Sequence, residues 1–396
     1  MTGIEQDRLR ADGPSVIVAG HICLDVIPSL PPGSRRRSPE PGSLLPLGPV
    51  TLSVGGCVGN TGNALHRLGL RPSLVAHVGD DRLGGVLADL LHDAVPEDAA
   101  QLRVIPGGST SYSLITNRPR EDRAIQHHPG VNATFVADDV PDDLLQGAAL
   151  LHVGYPPLMA AMVADDGREL RRLLVRARAL GLTTSVDMAS VGRGFGPDRI
   201  SWRTLLERVL PEVDVFMPSL TEAAHLLGRR IRRAELGAPR LASVAAMAGE
   251  LVEMGVAVAG IKLGADGLYV RTAPTARLAA ASGGIPAGWA GRELYSTVFE
   301  TQVVGTTGAG DSTIAGFLFG LLSGMPLDAA ITAACAVGGS STEASDGTSG
   351  VMSWPRIERR LEAGWRRREA SPGAGWAPSG EPGLFRGPRD AVGSNA

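Results

Sequence analysis

From about residue 150 onward, short apolar runs alternate with amphipathic stretches of helical length. This alternation narrows the folds open to the chain more than any other feature. Residues 150–153, 184–186, 213–217 and 256–263 read as buried strands. Residues 169–180, 241–255, 313–322 and 327–337 read as helices. Strand and helix in strict succession predict an α/β fold, a mostly parallel sheet flanked by helices. Ligands of such sheets lie beyond the carboxyl ends of the strands. The polar residues just past the predicted ends are Asp25, Asp187, Ser219, Glu222 and the Gly264 loop, so these are candidates for one shared site.

The first part of the chain carries more strands. Residues 15–19 form an apolar run closed by Gly20, 74–78 form another, and 111–116 and 124–128 alternate like strands of a second sheet. Helices are expected over 60–70 and 83–91. The folded core is placed at 15–362. Residues 1–14 are expected to be a disordered tail. So are 369–396, which hold six Gly and four Pro in 28 residues. Between 28 and 49 there are seven Pro and the run Arg35-Arg36-Arg37. Proline breaks both helix and central strand, so this stretch reads as a surface insertion.

Composition excludes several functions. Of 38 Lys and Arg residues only Lys262 is a lysine, and it is followed by Leu263-Gly264. A phosphate loop of the Gly-Lys-Ser/Thr kind is therefore absent, as is the Val-Ala-Ile-Lys strand of protein kinases. The formal net charge of -3 gives no reason to expect nucleic acid or an anionic membrane as partner. Cys23, Cys57 and Cys335 are far apart, which argues against a disulfide framework and a cysteine-based zinc site. The start of the chain lacks a signal-peptide run, and the longest apolar run, 314–325, is too short to span a bilayer. A soluble, cytoplasmic protein is expected.

Gly305-Thr306-Thr307-Gly308-Ala309-Gly310-Asp311 precedes an apolar helix. Small residues at a helix start leave backbone N–H groups uncovered, and the helix dipole adds positive charge. Gly308, Ala309 and Gly310 therefore make an anion hole fit for a phosphoryl group. An Asp at its edge repels phosphate but suits a base that takes a proton from an attacking hydroxyl. A plain N-cap on a tight turn is the structural alternative for Asp311. Earlier, Gly55-Gly56-Cys57-Val58-Gly59-Asn60 opens a helix, and Asn60 offers donor and acceptor groups suited to a polyol. Gly20-His21-Ile22-Cys23-Leu24-Asp25 delivers a carboxylate at a strand end.

The order of these pieces, together with Val78-Gly79-Asp80-Asp81-Arg82-Leu83-Gly84, resembles the ribokinase-like (PfkB) carbohydrate kinase family over about 15–360. The resemblance implies a Rossmann-like α/β domain with a small β-sheet lid, its strands within about 21–54 and 110–130. It implies transfer of the γ-phosphoryl group of ATP to an alcohol, with Mg²⁺. Asp311 then corresponds to the catalytic base, and Asp25, Gly55, Gly56 and Asn60 to the sugar-binding set. Thr306, Lys262, Gly264, Gly267 and Ser340 correspond to the nucleotide-binding set. Glu222 corresponds to an acidic residue that helps place Mg²⁺ through water. Such a lid can also serve as a homodimer interface.

Some positions depart from the pattern. Gly305 stands where the family often has an Asp belonging to a monovalent-cation site, which argues against K⁺ activation by that route. Ser219 replaces an Asn. The segment His152-Val153-Gly154-Tyr155 stands where ribokinases proper place an acidic sugar contact. Arg123 and His128 are candidate contacts to an anionic substituent, with turn or core roles equally open. Adjacent His127 and His128 point to opposite faces of a strand and are not a metal pair. A sugar or sugar-like alcohol is the expected acceptor. A nucleoside, walled by Tyr112, Phe135 or Tyr155, is the alternative, as is a non-catalytic sugar or nucleotide sensor.

Overall fold

The computed structural model describes residues 15–31, 42–44, 46–116, 124–189, 200–231, 241–281 and 283–391. Its main sheet is built from β1 (Ser15–Gly20), β4 (Arg71–Gly79), β5 (Ala100–Ile105), β8 (Leu150–Gly154), β9 (Thr183–Val186), β10 (Val215–Phe216) and β11 (Val258–Lys262), all parallel. An antiparallel edge follows, made of β12 (Leu268–Thr272), β13 (Glu293–Ser296), β15 (Leu384–Arg386) and β14 (Ala377–Pro378). The order across the sheet is β14-β15-β13-β12-β11-β10-β9-β8-β1-β4-β5. A second sheet, the lid, has the order β3-β2-β6-β7, from β2 (Cys23–Pro28), β3 (Val50–Gly55), β6 (Tyr112–Thr116) and β7 (Ala124–His128).

The central strand β1 shows why the sheet lies between helical layers. Its side chains alternate in direction. Val16 and Val18 enter one hydrophobic core, Ile17 and Ala19 the other. All four are fully buried, as an apolar run in a parallel sheet requires. One core is closed by α6 (Ala309–Leu322) and α7 (Leu327–Ser341). Gly316 and Gly320 let these two helices approach closely. A Cβ on Gly316 would come within 2.7 Å of the Ala333 carbonyl oxygen. Apolar helices rich in glycine and alanine are thus read correctly from their composition as a tightly packed pair.

The lid differs. Only its inner face is covered. Leu52 and Leu114, which flank Val26 on the other face, are 39% and 41% exposed. The Pro-rich insertion leaves and returns beside β2 and β3, and its base is closed by Ser29 N–H on the Pro49 carbonyl and Gly48 N–H on the Ser29 carbonyl. Residues 32–41, with the arginine triplet, lie outside the described residues, as do 1–14 and Arg123.

The expectation of a disordered tail over 369–396 is corrected for residues 369–391; residues 392–396 lie outside the described residues. β15 pairs antiparallel with β13, Leu384 is fully buried, and Trp376 packs edge-on against Tyr269 and Tyr295. Buried Asp390 accepts hydrogen bonds from Arg292 Nε and the Glu293 amide. A few isolated anchors fix this segment to an edge strand, too short a pattern to show any period amid its Gly and Pro. No described helix is long and apolar enough to cross a membrane.

Candidate active site

The ends of β8, β9 and β11 and the starts of three helices meet at the carboxyl edge of the main sheet. The late motif forms the entry to α6. Gly308 is its N-cap, with φ +69°, a left-handed conformation that favours glycine. A Cβ there would also sit 2.5 Å from the Gly347 carbonyl oxygen. Helix geometry leaves the first amides of α6 without an intrahelical acceptor, and they face the same side as the dipole's positive end. Asp311 is the third residue of the helix and is 3% exposed. It does not cap the helix. Its carboxylate accepts Asn60 Nδ2–H at 3.0 Å on Oδ2 and the Tyr155 hydroxyl at 2.8 Å from both oxygens.

Tyr155 follows the last residue of β8 and has φ 60°, a left-handed conformation uncommon outside glycine. That turn swings its hydroxyl onto Asp311. Burial, and then the Asp311 charge, hold the phenol well above its ordinary pKa, so it stays a donor. The residue stands where an acidic sugar contact was absent from the sequence pattern. Its signal was the Gly154-Tyr155-Pro156-Pro157 strand end, which fixes the turn but not the hydroxyl's target.

Asp25 lies on β2, 4% exposed. Gly55, the N-cap of α1 (Gly56–Arg67), leaves the space in which the Asp25 carboxylate sits; a Cβ at position 55 would overlap it. A Cβ on Gly56 would come within 2.6 Å of His21. Asn60, in the second turn of α1, joins this group to Asp311. The sequence-predicted set Asp25, Gly55, Gly56 and Asn60 is thus brought together with Asp311.

Lys262 ends β11 and pairs with Asp187, just past β9, at 2.8 Å. Both are buried. Burial pushes the Asp187 carboxyl up to about 7; the Lys262 ammonium pulls the other way, while Glu222 and Asp311 add to the rise. Burial disfavours the Lys262 ammonium, but Asp187 and Glu222 outweigh it and raise its pKa. A Cβ on Gly310 would stand 3.5 Å from Lys262 Nζ, which places the one lysine of the chain beside the start of α6. Glu222 and Ser219 form a capping box at the start of α4 (Leu220–Leu226): the carboxylate accepts the Ser219 amide at 2.7 Å. This gives Ser219 a structural purpose in place of the expected Asn.

Gly264 and Gly267 bound the turn after β11, closed by Leu263 N–H on the Gly267 carbonyl. Thr306 is exposed at the α6 entry, and its carbonyl accepts the Ala309 amide. Ser340 differs from expectation. It is fully buried, and its hydroxyl donates to the Val337 carbonyl of its own helix, so the side chain faces protein rather than a ligand. Gly305 packs against the Ala344 and Ser345 carbonyls, which leaves no room for a carboxylate there. Of the three aromatic walls, Phe135 is fully buried against His77 and Tyr155 is committed to Asp311. Tyr112 lies tilted against His128 in the lid, ring centroids 5.6 Å apart.

A parallel sheet with this carboxyl-edge cluster, capped by a four-stranded lid, is the ribokinase-like fold. The crystal structure of Arabidopsis thaliana ribokinase complexed with ribose and ATP matches with TM-score 0.64 at 18% identity, covering 88% of this chain and 99% of that one. A fructokinase with bound ATP from Xylella fastidiosa matches with TM-score 0.65 at 16% identity, covering 88% and 98%. The model of the pfkB family carbohydrate kinases matches residues 15–354. The chain belongs to the pfkB family and is a carbohydrate kinase. The 2-dehydro-3-deoxygluconokinase of Bacillus subtilis is 24% identical over 327 residues, 82% of this chain and 91% of its own length. An uncharacterized sugar kinase of Archaeoglobus fulgidus is 25% identical over 265 residues, 67% and 88%.

Proposed function

We propose that this kinase transfers the γ-phosphoryl group of ATP to a hydroxyl of a sugar or sugar-like alcohol, with Asp311 as general base. The observation that carries the reading is the placement of Asp311. A buried carboxylate at a helix start, held by Asn60 and Tyr155, can take a proton beside an anion hole. The acceptor hydroxyl lies between Asp311 and the transferred group. Its proton passes to the Asp311 carboxylate as its oxygen bonds to the γ-phosphorus, and the bond from that phosphorus to the bridging oxygen breaks, releasing ADP. The Gly308, Ala309 and Gly310 amides stabilise charge on the transferred oxygens. Asp25, Gly55, Gly56 and Asn60 hold the acceptor. Lys262, Thr306 and the Gly264–Gly267 turn lie along the nucleotide.

Mg²⁺ prefers oxygen ligands and keeps much of its water. The carboxylate of Glu222, whose charge is felt at both Asp187 and Lys262, fits a water-mediated role beside the phosphates. When bound, the ion neutralises phosphate charge. Asp187 is already paired with Lys262 and is not assigned to it.

The names of the relatives direct the choice of acceptor. The deciding experiment reads ADP release from Mg-ATP with fructose, 2-dehydro-3-deoxygluconate, ribose, other pentoses and hexoses, polyols and nucleosides. Stimulation by a sugar or sugar acid is expected. Stimulation by nucleosides alone would replace the acceptor assignment. ATP binding with no stimulated release by any acceptor would favour a sensor.

A further inference from the structure

His21, Cys23 and His127 offer two imidazole nitrogens and one sulfur within 4.8 Å of one another. His21 lies between β1 and β2, Cys23 begins β2, and His127 is on the outer lid strand β7. His21 and Cys23 are 1% and 3% exposed. The two rings meet through their Nε2 atoms, 3.1 Å apart. Two nitrogens on one tetrahedral zinc, with bonds of about 2.0–2.1 Å, stand about 3.3 Å apart. Sulfur and nitrogen on the same ion stand about 3.6 Å apart, so side-chain rotation closes the remaining gap. The other nitrogen of His127, Nδ1, lies 3.0 Å from Ser113 Oγ, which can accept its proton and leave Nε2 bare. Metal-bound histidines are oriented by such a partner on the second nitrogen. The Nδ1 of His21 is buried without a hydrogen-bond partner among the described residues, and the ring lies against those of His127 and Tyr155.

We propose that His21, Cys23 and His127 bind one divalent transition-metal ion of the zinc class, with an oxygen ligand in the fourth position. Imidazole and thiolate donors select such an ion over Mg²⁺ or Ca²⁺. The ion would clamp the outer strand of the lid to the strand-end loop that leads to Asp25. The inference stands apart from the kinase reading. On binding, the S–H bond of Cys23 breaks, a sulfur–metal bond forms, and the proton goes to solvent. The Cys23 thiol rests 3.3 Å from Asp25 Oδ1 before that happens.

Full-length protein freed of metal with a chelator is titrated with Co²⁺ and then Zn²⁺. About one Co²⁺ per chain is expected, with a thiolate-to-cobalt charge-transfer band and tetrahedral visible bands that Zn²⁺ abolishes. Calorimetry in buffers of different ionisation enthalpy should report about one proton released per ion. Cys23→Ser should remove the charge-transfer band while Cys57 and Cys335 remain. His127→Gln should weaken binding at least ~tenfold, the scale at which even supporting partners of a metal site are felt. Circular dichroism checks that both variants fold. Wild-type protein that retains no ion, or binds cobalt without a thiolate band, overturns the proposal without any variant. So does binding that survives both substitutions unchanged; the imidazole pair is then only an N–H···N hydrogen bond.

Discussion

Asp311 and Asp25 are both buried carboxylates, yet they are held in different ways. Asp311 sits in the first turn of a 14-residue helix packed into the main core, and the motif that shapes its turn is continuous in sequence. Asp25 sits on a six-residue lid strand. Its surroundings come from chain segments far apart: Gly55 from the next strand, and Ser113 across β6, bonded in turn to His127. One end of the site is set by local backbone geometry, the other by the pairing of distant strands. On the proposed reading, local geometry is the same for any acceptor and suits the phosphoryl group that is always transferred, while distant pairing can change one strand at a time and suits the partner that varies.

The largest effect should come from the locally built end. Asp311→Asn keeps size and helix but cannot take a proton, so turnover should fall by roughly 10² to 10⁴ with the melting temperature little changed. Steady-state ADP release measures it. Near-normal turnover would mean that the carboxylate is structural and that the contrast between the two ends fails. The next effect should come from the assembled end. Gly55→Ala places a methyl group where the Asp25 carboxylate lies. The expected loss is about 10- to 100-fold in kcat/KM for the acceptor, with the KM for ATP unchanged. An equal change in both constants would show that the two ends are not separable.

This contrast also explains what could be read from the sequence. The parallel sheet, the packed helices 313–322 and 327–337, and Gly308 to Asp311 were legible because their signals are local periods and turns. Asn60 was legible as a polar residue but not as the donor to Asp311, 251 positions away. Tyr155 was noticed at a strand end, but its left-handed turn and its hydroxyl's target depend on tertiary contacts. Ser340 was misplaced because a helix can face either way, and burial decides. The segment 369–391 was misread because edge-strand pairing needs only a few anchors. His21, Cys23 and His127 were invisible as a group, since their proximity exists only once β2 and β7 join the same sheet.

Tyr155→Phe tests the link between the two ends. It removes one hydroxyl from the Asp311 carboxylate and leaves Asn60 in place. A hydrogen bond to a charged group contributes about 1.5–3 kcal/mol, so turnover should drop by roughly 10- to 150-fold at most. The acceptor KM should move less than the turnover. A larger rise in KM than fall in turnover would place Tyr155 on the acceptor instead.

The smallest expected effect concerns Asp187, the ion-pair partner of Lys262, and is read as stability against pH. Its carboxyl is pushed up to about 7, chiefly by burial. Between about 4, where an unfolded Asp loses its proton, and about 7, the folded chain therefore binds more protons here than the unfolded chain. Stability from this group falls as pH rises through that window. His152, pushed down to about 3, and His127, pushed down to about 4, both by burial, act in the opposite direction below about 6.5, so the wild-type curve alone mixes these contributions. Asp187→Asn removes only the first contribution. The stability of wild type minus that of the variant should decline by roughly 1–2 kcal/mol from pH 4 to pH 7, less than the full shift because a buried pair relaxes with its partner. Thermal melts across the window measure it. A difference that stays flat, or rises only near pH 4, would mean that Lys262 holds Asp187 ionised throughout the window.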